Sequence, residues 1–192
     1  DRLGGVADVT FPAAVLMRAL YDLVIIETVG VDQSETQIAD MADYVAFCAQ
    51  PGSGDALQFM KAGVMEIPDL VLVTKGDLGP LARRTMTDLK GALSLTSQGG
   101  TVPEVLLVSA QTGEGLEAVV AWIAGRKGGD AAQRQSQAEL WATGQMRERF
   151  GSAGLEMLQR SENRLNLTQP FTSAAICTHW LTTRVFSEIR AD

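Results

Sequence analysis

Three short segments hold residue types able to do chemistry, and each one follows an apolar run. The first is Glu27-Thr28-Val29-Gly30. A carboxylate at the tip of a buried strand can hold Mg²⁺, directly or through water, because magnesium keeps several waters and needs only one or two carboxylates. Gly30 has no Cβ, so a phosphate can come close to its backbone amide. Read without a ligand, Glu27 simply caps the next turn. The second segment is Thr74-Lys75-Gly76-Asp77. A carboxylate there accepts hydrogen bonds roughly twice as strong as those of a neutral acceptor. The stem of Lys75 can lie along a flat ring, and the Thr74 hydroxyl can tie neighbouring loops together. Read without a ligand, this is a solvated charged turn. The third is Ser109-Ala110-Gln111, followed by Thr112-Gly113-Glu114-Gly115-Leu116. Ser109 stands 32 residues after Asp77 (109 − 77), which two loops sharing one pocket would require across one helix and one strand.

These segments need elements to position them. Residues 21–28 form a short, continuous, β-branched run, which predicts a strand buried on both faces, as in a parallel sheet. A turn at 29–32 leads to a helix capped by Ser34, with Gln37 three residues on, running to about Asp40. Residues 44–49 predict a second strand and 50–55 a Pro/Gly loop. Leu57, Met60, Val64 and Ile67 recur at helical spacing. A third strand is expected at 69–74, a helix at 81–95, a loop at 97–101, a fourth strand at 105–108 and a helix at 116–124. This alternation predicts an α/β fold, a doubly wound and mostly parallel sheet with helices on both faces. Ligands of such sheets sit beyond the carboxyl ends of the strands, where all three segments fall. Residues 125–130 read as a linker, and 131–160 as one or two amphipathic helices outside the sheet. The expected division is therefore a core at 1–125 and a C-terminal helical extension at 126–192.

The bulk composition narrows the classes. A length of 192 residues suits one domain with an appendage, and 46% hydrophobic with 20% charged residues is ordinary for a soluble globular protein. A net charge of −7 repels phosphate backbones, which argues against non-specific nucleic-acid binding. Cys48 lies in an apolar run and is expected as a buried, reduced thiol. Two cysteines make no disulfide framework. No apolar run reaches the ~18 residues of a membrane span, and no signal peptide is evident, so no membrane partner is expected and the cytoplasm is the expected location. The chain starts at Asp1 rather than Met, and an upstream segment is expected.

Thr74-Lys75-Gly76-Asp77 resembles the guanine-specificity motif of GTPases, usually Asn-Lys-x-Asp. There the carboxylate accepts from the ring N–H and the exocyclic amine of guanine, a pair adenine does not offer. Ser109-Ala110-Gln111 resembles the superfamily's Ser-Ala-x motif, whose backbone amide meets the guanine O6. Residues 27–35 resemble the switch II signature Glu-Thr-Val-Gly-Val-Gly-Gln-Ser-Glu of the methylmalonyl-CoA-mutase-associated (MeaB/ArgK) GTPases. Residues 51–58 resemble that family's Pro-Gly-x-Gly-Asp-x-Leu-Gln, residues 61–69 its Lys-x-Gly-x-Met-Glu-x-Ala-Asp helix, and residues 3–7 a piece just before switch II. The resemblance covers roughly residues 3–124.

It implies a GTPase that chaperones an adenosylcobalamin-dependent acyl-CoA mutase, binds GTP/GDP with Mg²⁺, and forms homodimers through helices after the core, here about 131–150. Carried onto this sequence, Glu27 serves the metal and catalysis, and Gln33, with Glu35 as another candidate, orders the attacking water. Gly30, Thr74, Lys75, Asp77, Ser109, Ala110 and Gln111 hold the nucleotide. The sequence departs from the family at several points. No Gly-x-x-x-x-Gly-Lys-Ser/Thr loop occurs in it, and the family places that loop upstream of Leu3. Asp32 stands where Gly is usual and Thr74 where Asn is usual. The tail after Gly151 matches no family segment. The alternative is a non-catalytic guanine-nucleotide-binding or protein-interaction module without a phosphate loop. Metal-delivery GTPases carry Cys/His clusters, which the single histidine, His179, does not supply.

Overall fold

The computed structural model describes Ala7 and residues 9–28, 38–53, 67–96 and 102–160. The chain divides into two compact units, one drawn from residues 26–128 and the other from residues 7–25 and the chain beyond 128.

The first unit is built on a parallel three-stranded sheet, β1 (Ala46–Ala49), β2 (Leu70–Val73) and β3 (Glu104–Leu107), in the order β1-β2-β3. Val73 pairs with Ala49 on one side and Leu107 on the other, so the three strands end level. The 17-residue helix α2 (Pro80–Thr96) covers one face. Its Ala82, Leu89 and Leu93 recur at helical spacing, with Met86 between them, and pack on Val71, Val73 and Val105. Pro80 opens the helix where its missing N–H costs nothing. After β3 the chain turns through Gly115 into α3 (Leu116–Ala124), which buries Trp122.

The second unit pairs α1 (Thr10–Arg18) with α4 (Ala131–Arg160). Phe11, 1% exposed, stacks on Trp141 with ring centroids 5.4 Å apart. Ala14, Ala138 and Ala142 are buried, as small residues must be where helices approach closely, and Arg18 donates to the buried Gln137 at 3.2 Å. Asp130 caps α4, its Oδ1 accepting from the Gln133 amide at 2.8 Å. α4 is broken at Gly151 (φ 63°, ψ −157°), so the segment is two helices in sequence.

The strand expected at 44–49 forms at Ala46–Ala49, those at 69–74 and 105–108 form at Leu70–Val73 and Glu104–Leu107, and the helices at 81–95 and 116–124 form as well. Ile38 and Ala39 are helical, at the end of the helix expected to run to about Asp40. The helix expected over 56–66, the turn at 29–32, the loop at 97–101, and both Cys177 and His179 lie outside the described residues.

Three expectations are corrected. The run 21–28 is not a strand: residues 23–28 pair with no described strand, and Leu23 and Ile25 are 55% and 79% exposed. An apolar run measures a demand for burial, and a strand also needs a neighbour to complete its hydrogen bonds. The helix α1 went unread, because its apolar residues surround the helix: Phe11 and Ala14 are buried while Leu16 and Met17 are exposed. Its Pro12 falls in the first turn, where the amide has no helical acceptor to lose. Cys48 is exposed, since it points to the face of β1 opposite α2, the side away from Phe47 and Ala49.

Candidate functional site

The carboxyl ends of β1, β2 and β3 are level, so the loops that leave them meet at one edge. Thr74 follows β2. Its amide and its hydroxyl both donate to the Ala49 carbonyl, at 2.9 and 3.2 Å, which fastens this loop to the end of β1. The Thr74 hydroxyl is therefore used as a loop tie, the role its chemistry allowed.

Lys75 adopts a left-handed conformation (φ 53°, ψ 46°), the only non-glycine among the described residues with positive φ. Such a conformation costs a side-chain-bearing residue about 1–2 kcal/mol, and strain of this kind gathers at functional sites. Here it turns the chain sharply into a 3-10 turn, Gly76–Leu78, which brings Asp77 to the rim with its carboxylate exposed to solvent. Gly76 is buried and donates to the Val108 carbonyl at 2.8 Å, and a Cβ at this position would meet that carbonyl oxygen at 3.3 Å. The glycine thus lets the β2 loop lie against the end of β3.

Ser109 comes from that next strand. It is completely buried, and its hydroxyl donates to Asp77 Oδ1 at 2.6 Å, the length of a hydrogen bond to an ionised carboxylate. The same oxygen accepts from the Thr112 amide at 3.2 Å. The Ser109 amide donates to the Glu114 carbonyl at 2.9 Å, and Gly113 donates back to the Ser109 carbonyl at 2.9 Å, so the loop closes on itself. Gly115 (φ 76°) ends the loop where a Cβ would overlap the Leu107 carbonyl oxygen. Ala110 and Gln111 lie on this loop, exposed beside Ser109.

The structure thus brings together Thr74, Lys75, Asp77, Ser109, Ala110 and Gln111. One carboxylate is fixed by a neighbouring strand and open on its other side, next to a lysine and a run of loop amides. Such an edge can recognise a planar ring that presents paired N–H donors. The hydroxyl bridge between Ser109 and Asp77 is absent from the sequence reading, where only the 32-residue spacing signalled a shared pocket.

Glu27 lies elsewhere in the first unit, exposed on the unpaired segment after Ile26. Its charge reaches Cys48 on β1: burial of the sulfur, and secondarily the negative Glu27, hold that thiol above its ordinary value. An exposed single carboxylate suits Mg²⁺, which retains most of its water. No group of three or more His, Cys, Asp and Glu among the described residues forms a protein-only metal cage. Gly30 and Gln33 lie outside the described residues.

A parallel sheet with helices wound between its strands, joined at its carboxyl edge by the Lys-Gly-Asp and Ser-Ala-Gln loops, has the α/β architecture of the P-loop GTPases. Within that class the chain belongs to the methylmalonyl-CoA mutase-associated GTPase MeaB family, whose sequence profile matches residues 1–157. It is 39% identical over 161 residues to a putative GTPase of Caulobacter vibrioides, covering 79% of this chain and 49% of that protein. It is 41% identical over 152 residues to the mitochondrial methylmalonic aciduria type A homolog of Mus musculus, covering 72% of this chain and 36% of that protein. Over 57 residues, 30% of the chain and 17% of that protein, it is 51% identical to the GTPase ArgK of Escherichia coli. The chain therefore spans about half or less of the length of these relatives. Among the described residues no helix is long and apolar enough to cross a membrane.

Proposed function

We propose that this protein binds GTP and GDP with Mg²⁺, hydrolyses GTP, and serves as a nucleotide-dependent chaperone of an adenosylcobalamin-dependent acyl-CoA mutase in the cytoplasm. The observation that carries the nucleotide reading is the Asp77 carboxylate held by the buried Ser109 hydroxyl at 2.6 Å, on adjacent strand ends. In this role Asp77 accepts the two guanine N–H groups, the Lys75 stem lies on the base, and the Ala110 and Gln111 amides face the guanine O6. Thr74 keeps the Lys75 turn against β1. Glu27 assists Mg²⁺ and the hydrolytic site, Gly30 approaches the γ-phosphate, and Gln33 orders water. Catalysis in this class is positioning and charge neutralisation, with little covalent chemistry for the protein to do. Support for the mutase comes from the family, whose description carries that association.

Binding of the γ-phosphate is the event that reorders a switch segment. GTP then changes the affinity for the mutase, and by linkage the mutase changes the affinity for GTP by the same factor, a coupling of ~1–3 kcal/mol. The test is mutase affinity of the full protein with GDP and with a non-hydrolysable GTP analogue, using the B12-dependent mutase of the same source. Equal affinities, with no stimulation of hydrolysis, would remove the chaperone role. The helical segment 131–150 is also proposed to mediate a homodimer; Leu140, 50% exposed on α4, is the apolar residue offered there. Light scattering of Leu140→Glu beside the parent reads this, and a parent that is already monomeric at micromolar concentration would exclude it.

A further inference from the structure

Among the described residues, the chain crosses between the two units at Ile25–Ile26 and at Gly128–Gly129. The second crossing lies within the stretch that reads as a loose linker from sequence, yet most of that stretch is held. Arg126 lays its guanidinium 3.3 Å above the centre of the Trp122 ring, and its Nη1 donates to the Trp122 carbonyl at 2.9 Å. The Tyr44 ring stands edge-on to Trp122, centroids 5.7 Å apart, and its hydroxyl donates to the Lys127 carbonyl at 2.9 Å. Residues up to Lys127 are thereby fastened to the sheet unit. On the far side Asp130 is fastened to α4, its side chain accepting from Gln133 at 2.8 Å and its carbonyl from Arg134 at 3.0 Å. Only Gly128 and Gly129 remain between, and among the described residues neither takes part in a hydrogen bond.

We propose that Gly128–Gly129 is a hinge about which the helical unit reorients, and that Tyr44, Trp122 and Arg126 form the clamp confining the bending to these two residues. Glycines suit the task because they have the widest choice of φ and ψ, and hinges are made of a few residues that absorb the dihedral change. The other crossing gives the hinge a consequence. Ile26 immediately precedes Glu27, so a reorientation of the helical unit pulls on the segment that carries this carboxylate. That consequence rests on the proposed role of Glu27; the hinge does not.

The experiment is a spin-label distance distribution on the full protein without nucleotide. Labels go on Lys90→Cys in α2 and Ser136→Cys in α4, with Cys48 and Cys177 changed to Ser. Proline fixes one of the two soft dihedrals of a residue, so Gly128→Pro/Gly129→Pro should narrow the distribution by about half. Tyr44→Phe/Arg126→Ala should broaden it. If the proline variant does not fold by circular dichroism, Gly128→Ala/Gly129→Ala is measured instead and should narrow the distribution in the same sense. A distribution as wide in the glycine-replaced variant as in the parent would overturn the hinge. An unchanged width in Tyr44→Phe/Arg126→Ala would overturn the clamp.

Discussion

Ser109 does two things with one buried hydroxyl: it donates to Asp77 and accepts from the Thr112 amide. The residue types and their order announced both loops in advance, because a carboxylate after one strand and a Ser-Ala after the next are local patterns. The bond between them was not legible, since it depends on two strands ending level, and that is a property of the sheet register. Cys48 shows the opposite failure. Its apolar neighbours suggested burial, but residues on a strand alternate, and Phe47 and Ala49 take the covered face. Its surroundings yield a prediction. Burial and the Glu27 carboxylate both raise this thiol, so both keep it protonated to higher pH. Glu27→Gln removes only the second effect, which lowers the thiol part of the way and increases the thiolate fraction at pH 8. Iodoacetamide should then modify Cys48 several-fold faster than in the parent. A rate equal to or below the parent's would show that Glu27 does not lie near β1.

At the scale of elements, β2 and β3 were legible because continuous β-branched and leucine runs, bounded by loops, match strands buried on both faces. The helices α2 and α3 were legible from apolar spacing and from the glycines and proline at their ends. The run at 21–28 has the same composition as those strands but no described partner, and composition alone cannot supply one. Gly115 marks the element boundary with the tightest steric constraint. Its φ of 76° disfavours any side chain, and an added Cβ would overlap the Leu107 carbonyl oxygen at the end of β3. Gly115→Ala should destabilise the protein by ~2–4 kcal/mol, a strained conformation combined with a clash against backbone. Urea unfolding measures this. Gly113→Ala is the comparison: it shares a positive φ (80°) but meets nothing within 4 Å, so its cost should be confined to the conformational part, about 1 kcal/mol. Equal losses in the two variants would mean that close approach to β3 does not matter.

At the scale of the molecule, the two units divide the labour the sequence suggested, although not at the expected boundary. The helical unit takes in α1 as well as the chain after 128, so its packing partner comes from before the sheet rather than from the sheet itself. Trp141, from sequence a residue of the dimerising segment, stacks on Phe11 of α1, and this leaves Leu140 as the exposed apolar position beside it. The central claim is that the carboxyl edge of the sheet unit recognises guanine through Asp77. Asp77→Asn is a sharp probe because an amide oxygen can still accept the Ser109 hydroxyl while its NH₂ replaces an acceptor with a donor. Calorimetric titration of the full protein with GDP, ADP and XDP decides the matter. GDP should bind and ADP should not. Asp77→Asn should weaken GDP by ~1.5–3 kcal/mol, the scale of a hydrogen bond to a charged group, and improve XDP, whose ring oxygen suits the new donor. Equal affinity of the parent protein for GDP and ADP would contradict the account.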